Sequence, residues 1–235
     1  MLPLHDNVPT RTFPIVTIGL IAANVLVFLF EVGATDESMR AMVATYGVTP
    51  AALIRDTGVS AAVSPYLTLF TSLFLHADFM HLIGNMIFLF VFGDDIEEAL
   101  GWLRFIAFYF ACGIGASLAF VASAPHSPIP LVGASGAIAG VLAAYLMFRP
   151  CQKVTVLLLR FIVKLSAYWV IGGWAVLQLW QISVQAQDGV AYMAHVGGLV
   201  VGAILFPLMR QPWVELFSCD EDSSEAPAGG SEGRS

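Results

Sequence analysis

Apolar residues along this chain form long unbroken blocks, without the narrow stripes or strict alternation of a soluble fold, and polar punctuation separates them. Phe13 to Glu31 is the first block, with Asn24 as its only polar interruption. Residues Val32 to Pro65 are mixed in charge, and an amphipathic pattern around Met39 to Ile54 predicts a short helix on a membrane surface. Tyr66 to Phe92 is too long for one simple span, and His76-Ala77-Asp78 breaks it. Tyr66 to Leu75 therefore reads as interfacial, and a second span starts at the N-cap Asp78 and runs toward Glu97. Trp102 to Ser123 is a third span, followed by the Pro-bearing loop Ala124 to Val132. Ala134 to Phe148 is a fourth, stopped by Arg149-Pro150. Cys151 to Lys164 reads as a basic connector, Leu165 to Val184 as the fifth span and Val190 to Met209 as the sixth. The expected architecture is all-α, a polytopic bundle of six transmembrane helices. It divides into a cytoplasmic leader (1–12), a membrane domain (13–210) and an acidic, disordered cytoplasmic tail (211–235).

Composition agrees on the solvent. Hydrophobic residues make up 58% and charged residues 11%, and mean hydropathy is +0.81, outside the range of soluble domains. The net charge of −7 comes from acids in two places expected to be solvated. One is Asp94, Asp95, Glu97 and Glu98, and the other is the stretch from Glu215 to Glu232. Neither suggests nucleic acid as a partner. Cys112 lies in a span, Cys151 in a loop and Cys219 in the tail, so neither a disulfide framework nor a thiol–metal site is expected. The leader carries His5, Asp6 and Arg11 without a small-residue cleavage site, and is not expected to be a cleavable signal.

Positive charge orients the spans. With the N-terminus inside, the inner segments hold Arg11, Arg104, Arg149, Lys153, Arg160, Lys164, Arg210 and Arg234, and the outer loops only Arg40 and Arg55. Both termini are then cytoplasmic, and spans two, four and six all run from outside to inside.

Each of those three spans carries its unusual polar groups near its outer end: His81 and Asn85, then Ser135, then His195. Such groups inside membrane helices are costly and point to function. Ser135 opens a helix, where unpaired backbone N–H groups suit an oxyanion. Gly136, Gly140 and Ala144 on span four, and Ala194, Gly198 and Gly202 on span six, form small-residue stripes that let two helix backbones approach closely. Close packing would bring the Ser135 hydroxyl to the imidazole of His195 as a nucleophile–base pair. His81 and Asn85, four residues apart, share a helix face and could donate hydrogen bonds to the developing oxyanion. Asp78 reads as a cap and Asp188 as a solvated loop charge, so the chemistry should rest on a Ser–His dyad. The serine is not in a soluble-hydrolase elbow, because Ala137 stands where that motif needs glycine.

From Tyr66 to Met209 the sequence resembles the rhomboid family of intramembrane serine proteases. The residues that carry the likeness are Thr71-Ser72-Leu73-Phe74-Leu75-His76, His81 with Asn85, and Gly93-Asp94 with Glu97 and Gly101. Gly133-Ala134-Ser135-Gly136 and Ala194-His195-Val196-Gly197-Gly198 complete it. The resemblance implies Ser135 as nucleophile, His195 as general base, and an oxyanion hole from the Ser135 N–H with His81 and Asn85. It implies transmembrane or membrane-adjacent protein substrates cut near the outer face of a bilayer, without metal or cofactor. It also implies a water-filled cavity open to the outside, and a gate at the fifth span. A bacterial or archaeal plasma membrane fits the layout, the bacterial one first, and no feature sets an oligomeric state.

The chain departs from the family pattern at three places. Leu67-Thr68 replaces a Trp-Arg pair in the first loop, and Gly84 precedes Asn85 where some relatives have an aromatic. Ala139 stands one turn after the serine, where relatives often carry an aromatic under the histidine, so either another group orients His195 or its orientation is looser. Three other classes compete. A small transporter would show internal repeats or broken helices. A metal-dependent protease would need two ligands on one helix face with a glutamate between them. His76 and His81 are instead turned about 140° apart, with no Glu between. A catalytically inactive rhomboid-like chaperone would lack the serine or the histidine.

Overall fold

One helix is enclosed by protein along most of its length. In the computed structural model this is α7 (Ser135–Phe148), in which every residue from Gly136 to Tyr145 is buried. The structure describes residues 2–6, 8, 11–55, 63–186 and 189–219. Asp188 and residues 220–235, the larger part of the acidic tail, lie outside them.

Around α7 stand α5 (Phe79–Leu100), α6 (Trp102–Ser123), α8 (Ala167–Ser183) and α9 (Tyr192–Met209). The first long helix, α1 (Ile15–Val32), packs on α5 and leaves Phe13, Ile15, Leu29 and Phe30 exposed. The helices α1, α5, α6 and α9 are long and apolar enough to cross a bilayer. At about 1.5 Å per residue the 14 residues of α7 reach only about two-thirds of the way across. The amphipathic stretch forms two helices, α2 (Asp36–Tyr46) and α3 (Pro50–Arg55), interrupted at Gly47-Val48-Thr49 where Val48 bridges to Leu131. The short α4 (Thr68–Thr71) and one 3-10 turn (Ser72–Phe74) occupy the interfacial segment.

The α5–α6 junction shows how local chemistry sets the packing. A single residue, Gly101, joins the two helices, and its φ of +79° belongs to the left-handed region that glycine enters without steric cost. The chain therefore reverses at once.

Helices α7 and α9 meet through glycine. A Cβ on Gly198 would strike the Gly136 carbonyl, and one on Gly202 would strike the backbone of Gly140. On its other side α7 meets α6, where Gly136 faces Ala116 and Gly140 faces Cys112. Two layers one turn apart thus hold α7 and α9 at backbone contact.

Four expectations are corrected at the end of the molecule opposite Ser135. The basic connector is a β-hairpin, β2 (Lys153–Leu158) with β3 (Phe161–Ser166), and the leader supplies a third strand, β1 (Leu2–Asp6), antiparallel to β2. Alternation of apolar and polar residues over only six positions was too short to stand out beside the spans.

The acidic group there is not a solvated patch, since Asp95 and Glu97 are buried. Glu97 accepts from the Val16 and Thr17 backbone N–H groups and from the Thr17 hydroxyl, at 2.8–3.0 Å. It thereby satisfies the first turn of α1, whose N-cap Pro14 has no side chain able to do so. Asp95 pairs with Arg149 at 3.0 Å. Asp6 of β1 accepts from Tyr145 of α7 at 2.7 Å, so the leader is tied to the buried helix.

The tail does not loosen at Gln211. Gln211 N–H donates to the Ala99 carbonyl, Phe217 N–H donates to Met147, and Val214 is buried. That docking sets Cys219 beside Cys151, and the two form a disulfide with Cα atoms 5.2 Å apart. Cysteines 68 residues apart in sequence gave no pattern to suggest it.

The glycine contacts lead to a direct test. Gly198→Ala should destabilise the protein by roughly 1–3 kcal/mol, because backbone cannot yield as a flexible side chain can. Gly19→Ala, where nothing lies within 4 Å of the added methyl, should be neutral or gain up to about 1 kcal/mol. Thermal melting of both variants in detergent reads the difference. Equal melting temperatures would contradict the observed α7–α9 contact.

Candidate active site

The polar residues of three helices converge where those helices begin. Ser135 is the first residue of α7, His81 lies in the first turn of α5, and His195 is the fourth residue of α9. The segment before Ser135 is held by Gly133, whose N–H donates to the Ser72 carbonyl at 2.9 Å. Gly133 has a φ of +119°, and a Cβ there would come 2.7 Å from His81 Cε1. Glycine is thus required twice, for its conformation and for the approach of the imidazole. Asn85 Nδ2 lies 3.7 Å from the same point, so His81 and Asn85 both face the segment that delivers Ser135.

Ser135 Oγ lies 2.8 Å from His195 Nε2. His195 is nearly buried, and its other nitrogen, Nδ1, is 2.8 Å from Oε1 of Gln178 on α8. Trp174, one turn earlier on α8, stands beside the imidazole with ring centroids 5.5 Å apart and planes tilted by 40°. Tyr192 meets it edge-on at 6.4 Å. The aromatic support absent at Ala139 on α7 therefore comes from α8. Gln178 and Trp174 were missed from the sequence. The signal available for Gln178 was the one used for Asn85 and His195, a polar side chain within an apolar span.

On α5, Asp78 Oδ1 accepts from the His81 N–H at 2.9 Å and caps the helix as expected. Asn85 Nδ2 and His76 Nε2 are 2.9 Å apart. An amide nitrogen only donates, so His76 presents a neutral, unprotonated Nε2 to it. The fully buried His76 is held in turn by its backbone N–H, which donates to the Glu31 carboxylate at 3.3–3.4 Å. The first span thus supplies a buried carboxylate to the loop that orients Asn85.

Chemically, the arrangement is a hydroxyl bonded to an imidazole at the first turn of a helix. The Asn85 amide and the His81 imidazole lie against Gly133, two residues before the serine. Such a set suits acyl transfer through an oxyanion.

The rhomboid domain family matches residues 64–212, more than half of the chain. Among curated proteins, the chain is 31% identical over 169 residues to "Putative rhomboid protease YdcA" of Bacillus subtilis, covering 66% of this chain and 77% of that one. It is 35% identical over 142 residues to "Rhomboid protease GluP" of the same organism, covering 60% and 25%. It is 30% identical over 154 residues to "RHOMBOID-like protein 5" of Arabidopsis thaliana, covering 61% and 44%. The chain spans about half the length of several of the relatives it matches. The fold and these matches define a polytopic membrane protein. The chain belongs to the rhomboid family.

The pKa of His76 is pushed down to about 4, first by burial and then by the neighbouring His81. Between about pH 6.5 and 4 the unfolded chain takes up a proton at this residue and the folded protein does not. Stability therefore falls as pH drops through that window. The loss of melting temperature between about pH 7.5 and 5 should be smaller in His76→Gln than in the parent. An unchanged loss would show that His76 is not held neutral by the fold.

Proposed function

We propose that this protein is a serine-type intramembrane endopeptidase that cuts transmembrane or membrane-adjacent segments of other membrane proteins. The observation that carries the reading is the 2.8 Å contact of Ser135 Oγ with His195 Nε2 beside the His81–Asn85 wall.

Ser135 Oγ attacks the scissile carbonyl carbon while His195 Nε2 takes the hydroxyl proton. The negative oxygen of the tetrahedral intermediate receives hydrogen bonds from the Ser135 backbone N–H, His81 and Asn85. An asparagine amide has two N–H donors. One engages His76, and the second is free to serve this oxygen. The imidazolium then protonates the departing amine, leaving an acyl ester on Ser135. Water, with His195 as base, cleaves the ester and restores the serine. No metal or cofactor enters this scheme.

In the same reading α7 and α8 are the two remaining spans, giving six in a membrane domain of residues 13–210. Both termini are cytoplasmic, in a bacterial plasma membrane, and the reducing poise of the cytoplasm would keep Cys151 and Cys219 as neighbouring thiols. The glycines at 136, 140, 198 and 202 serve the site by holding α7 against α9.

Fluorophosphonate labelling of the purified protein tests the nucleophile. Label should appear on the parent and be lost in Ser135→Ala, and His195→Ala should lose both label and cleavage of a model membrane substrate. Asn85→Ala should lower turnover by about 10- to 1000-fold without preventing substrate binding. Folded parent protein that takes no label and cleaves nothing would favour the inactive chaperone. Label that persists in Ser135→Ala would move the nucleophile elsewhere.

A further inference from the structure

A base that transfers protons through Nε2 needs its proton on Nδ1, and something must hold it there. In this chain that group comes from a different helix. Gln178 is 3% exposed, whereas its neighbours Val176, Leu177, Leu179 and Trp180 are each more than half exposed. Burying an amide is unfavourable unless both its ends are bonded, and both are. Nε2 donates to the Trp174 carbonyl at 3.0 Å, and Oε1 meets His195 Nδ1 at 2.8 Å.

The direction of every bond in this series follows from its last member. A backbone carbonyl can only accept, so the Gln178 nitrogen must face Trp174 and the Gln178 oxygen must face His195. That oxygen can only accept, so Nδ1 must carry the proton. In a neutral imidazole Nε2 is then the bare nitrogen, and the Ser135 hydroxyl donates to it across 2.8 Å. The alternative amide orientation would set two oxygens against each other at Trp174.

We infer that Gln178 is the positioning residue of the base: it holds His195 in the Nδ1-protonated tautomer and thereby sets the rate at which Ser135 is acylated. The inference rests on the Ser–His reading above. A neutral amide supplies an acceptor without a full charge, so it aligns the imidazole and settles its tautomer while contributing only a dipole to the imidazolium. The partner lies on α8, the helix that also carries Trp174. His195 is therefore held by α8 on one side and by Ser135 on the other, and its orientation depends on α8 keeping its place against α9.

Two variants and two readouts test this. Gln178→Leu keeps the bulk and removes the acceptor. It should lower kcat on a model membrane substrate, and the rate of fluorophosphonate labelling, by about 100-fold, the scale of a catalytic group misplaced by about 1 Å. KM should change little. Gln178→Glu keeps an acceptor oxygen for His195 Nδ1 and, with its carboxyl protonated, still donates to the Trp174 carbonyl, so it should recover most of the rate. Histidine 15N resonances, recorded in a Ser135→Ala background so that activity plays no part, should report the Nδ1-protonated form of His195. That form should give way to a tautomer mixture when Gln178→Leu is added. Parent-like labelling by folded Gln178→Leu, or an unchanged tautomer, would overturn the inference. So would loss of rate in Gln178→Leu and Gln178→Glu alike. Failure of the Ser–His reading would appear separately, as label or cleavage persisting in Ser135→Ala.

Discussion

Backbone contact between α7 and α9 is the constraint on which the rest of this molecule depends. In a bilayer no hydrophobic gain separates helix–helix from helix–lipid contact, so close packing must supply the attraction, and small residues permit it. Gly136 against Gly198 and Gly140 against Gly202 bring the two helices together along a full turn. Ser135 immediately precedes the first pair on α7, and His195 lies one turn before it on α9. The hydroxyl–imidazole contact of 2.8 Å is thus the end of a packing ladder, set by backbone on both sides.

Two further groups of contacts hold that ladder in place from opposite ends. Toward Ser135, Gly133 lets His81 approach, and Glu31 fixes the loop of His76, which in turn orients Asn85. At the far end α7 is anchored through Tyr145 to Asp6 of the leader strand, and Arg149 just beyond it pairs with Asp95 of α5. Glu97 completes the first turn of α1. Each of these acids is buried with a partner, the condition under which a carboxylate can leave water. Charged residues at this end are therefore structural joints between elements far apart in sequence.

The surroundings of His195 illustrate how one role can pass between helices. Ala139 gives α7 no aromatic for the imidazole, and the ring of Trp174 on α8 lies 5.5 Å from it. Gln178, one turn further along, bonds the remaining nitrogen. One helix, α8, thus supplies both an aromatic neighbour and a hydrogen bond to the His195 imidazole.

By itself the sequence determined what the membrane and local backbone chemistry dictate. Span boundaries such as Trp102 to Ser123, the Asp78 cap, the small-residue stripes and the polar residues at 81, 85, 135 and 195 were all legible. An apolar block must become a helix in lipid, and a polar group within it stands out. The matched family then made the class legible as well. Only the tertiary structure decided which distant residues would satisfy one another. The leader strand pairs with a hairpin some 150 residues away, and Glu97 caps a helix 80 residues upstream. Cys151 meets Cys219, Glu31 reaches His76, and Gln178 turns to His195. None of these pairings has a local signature, because each depends on where two separate segments come to rest. Gln178 was visible as an amide in an apolar helix, but α8 could have turned it to any neighbour, and the packing of α8 on α9 chose the histidine.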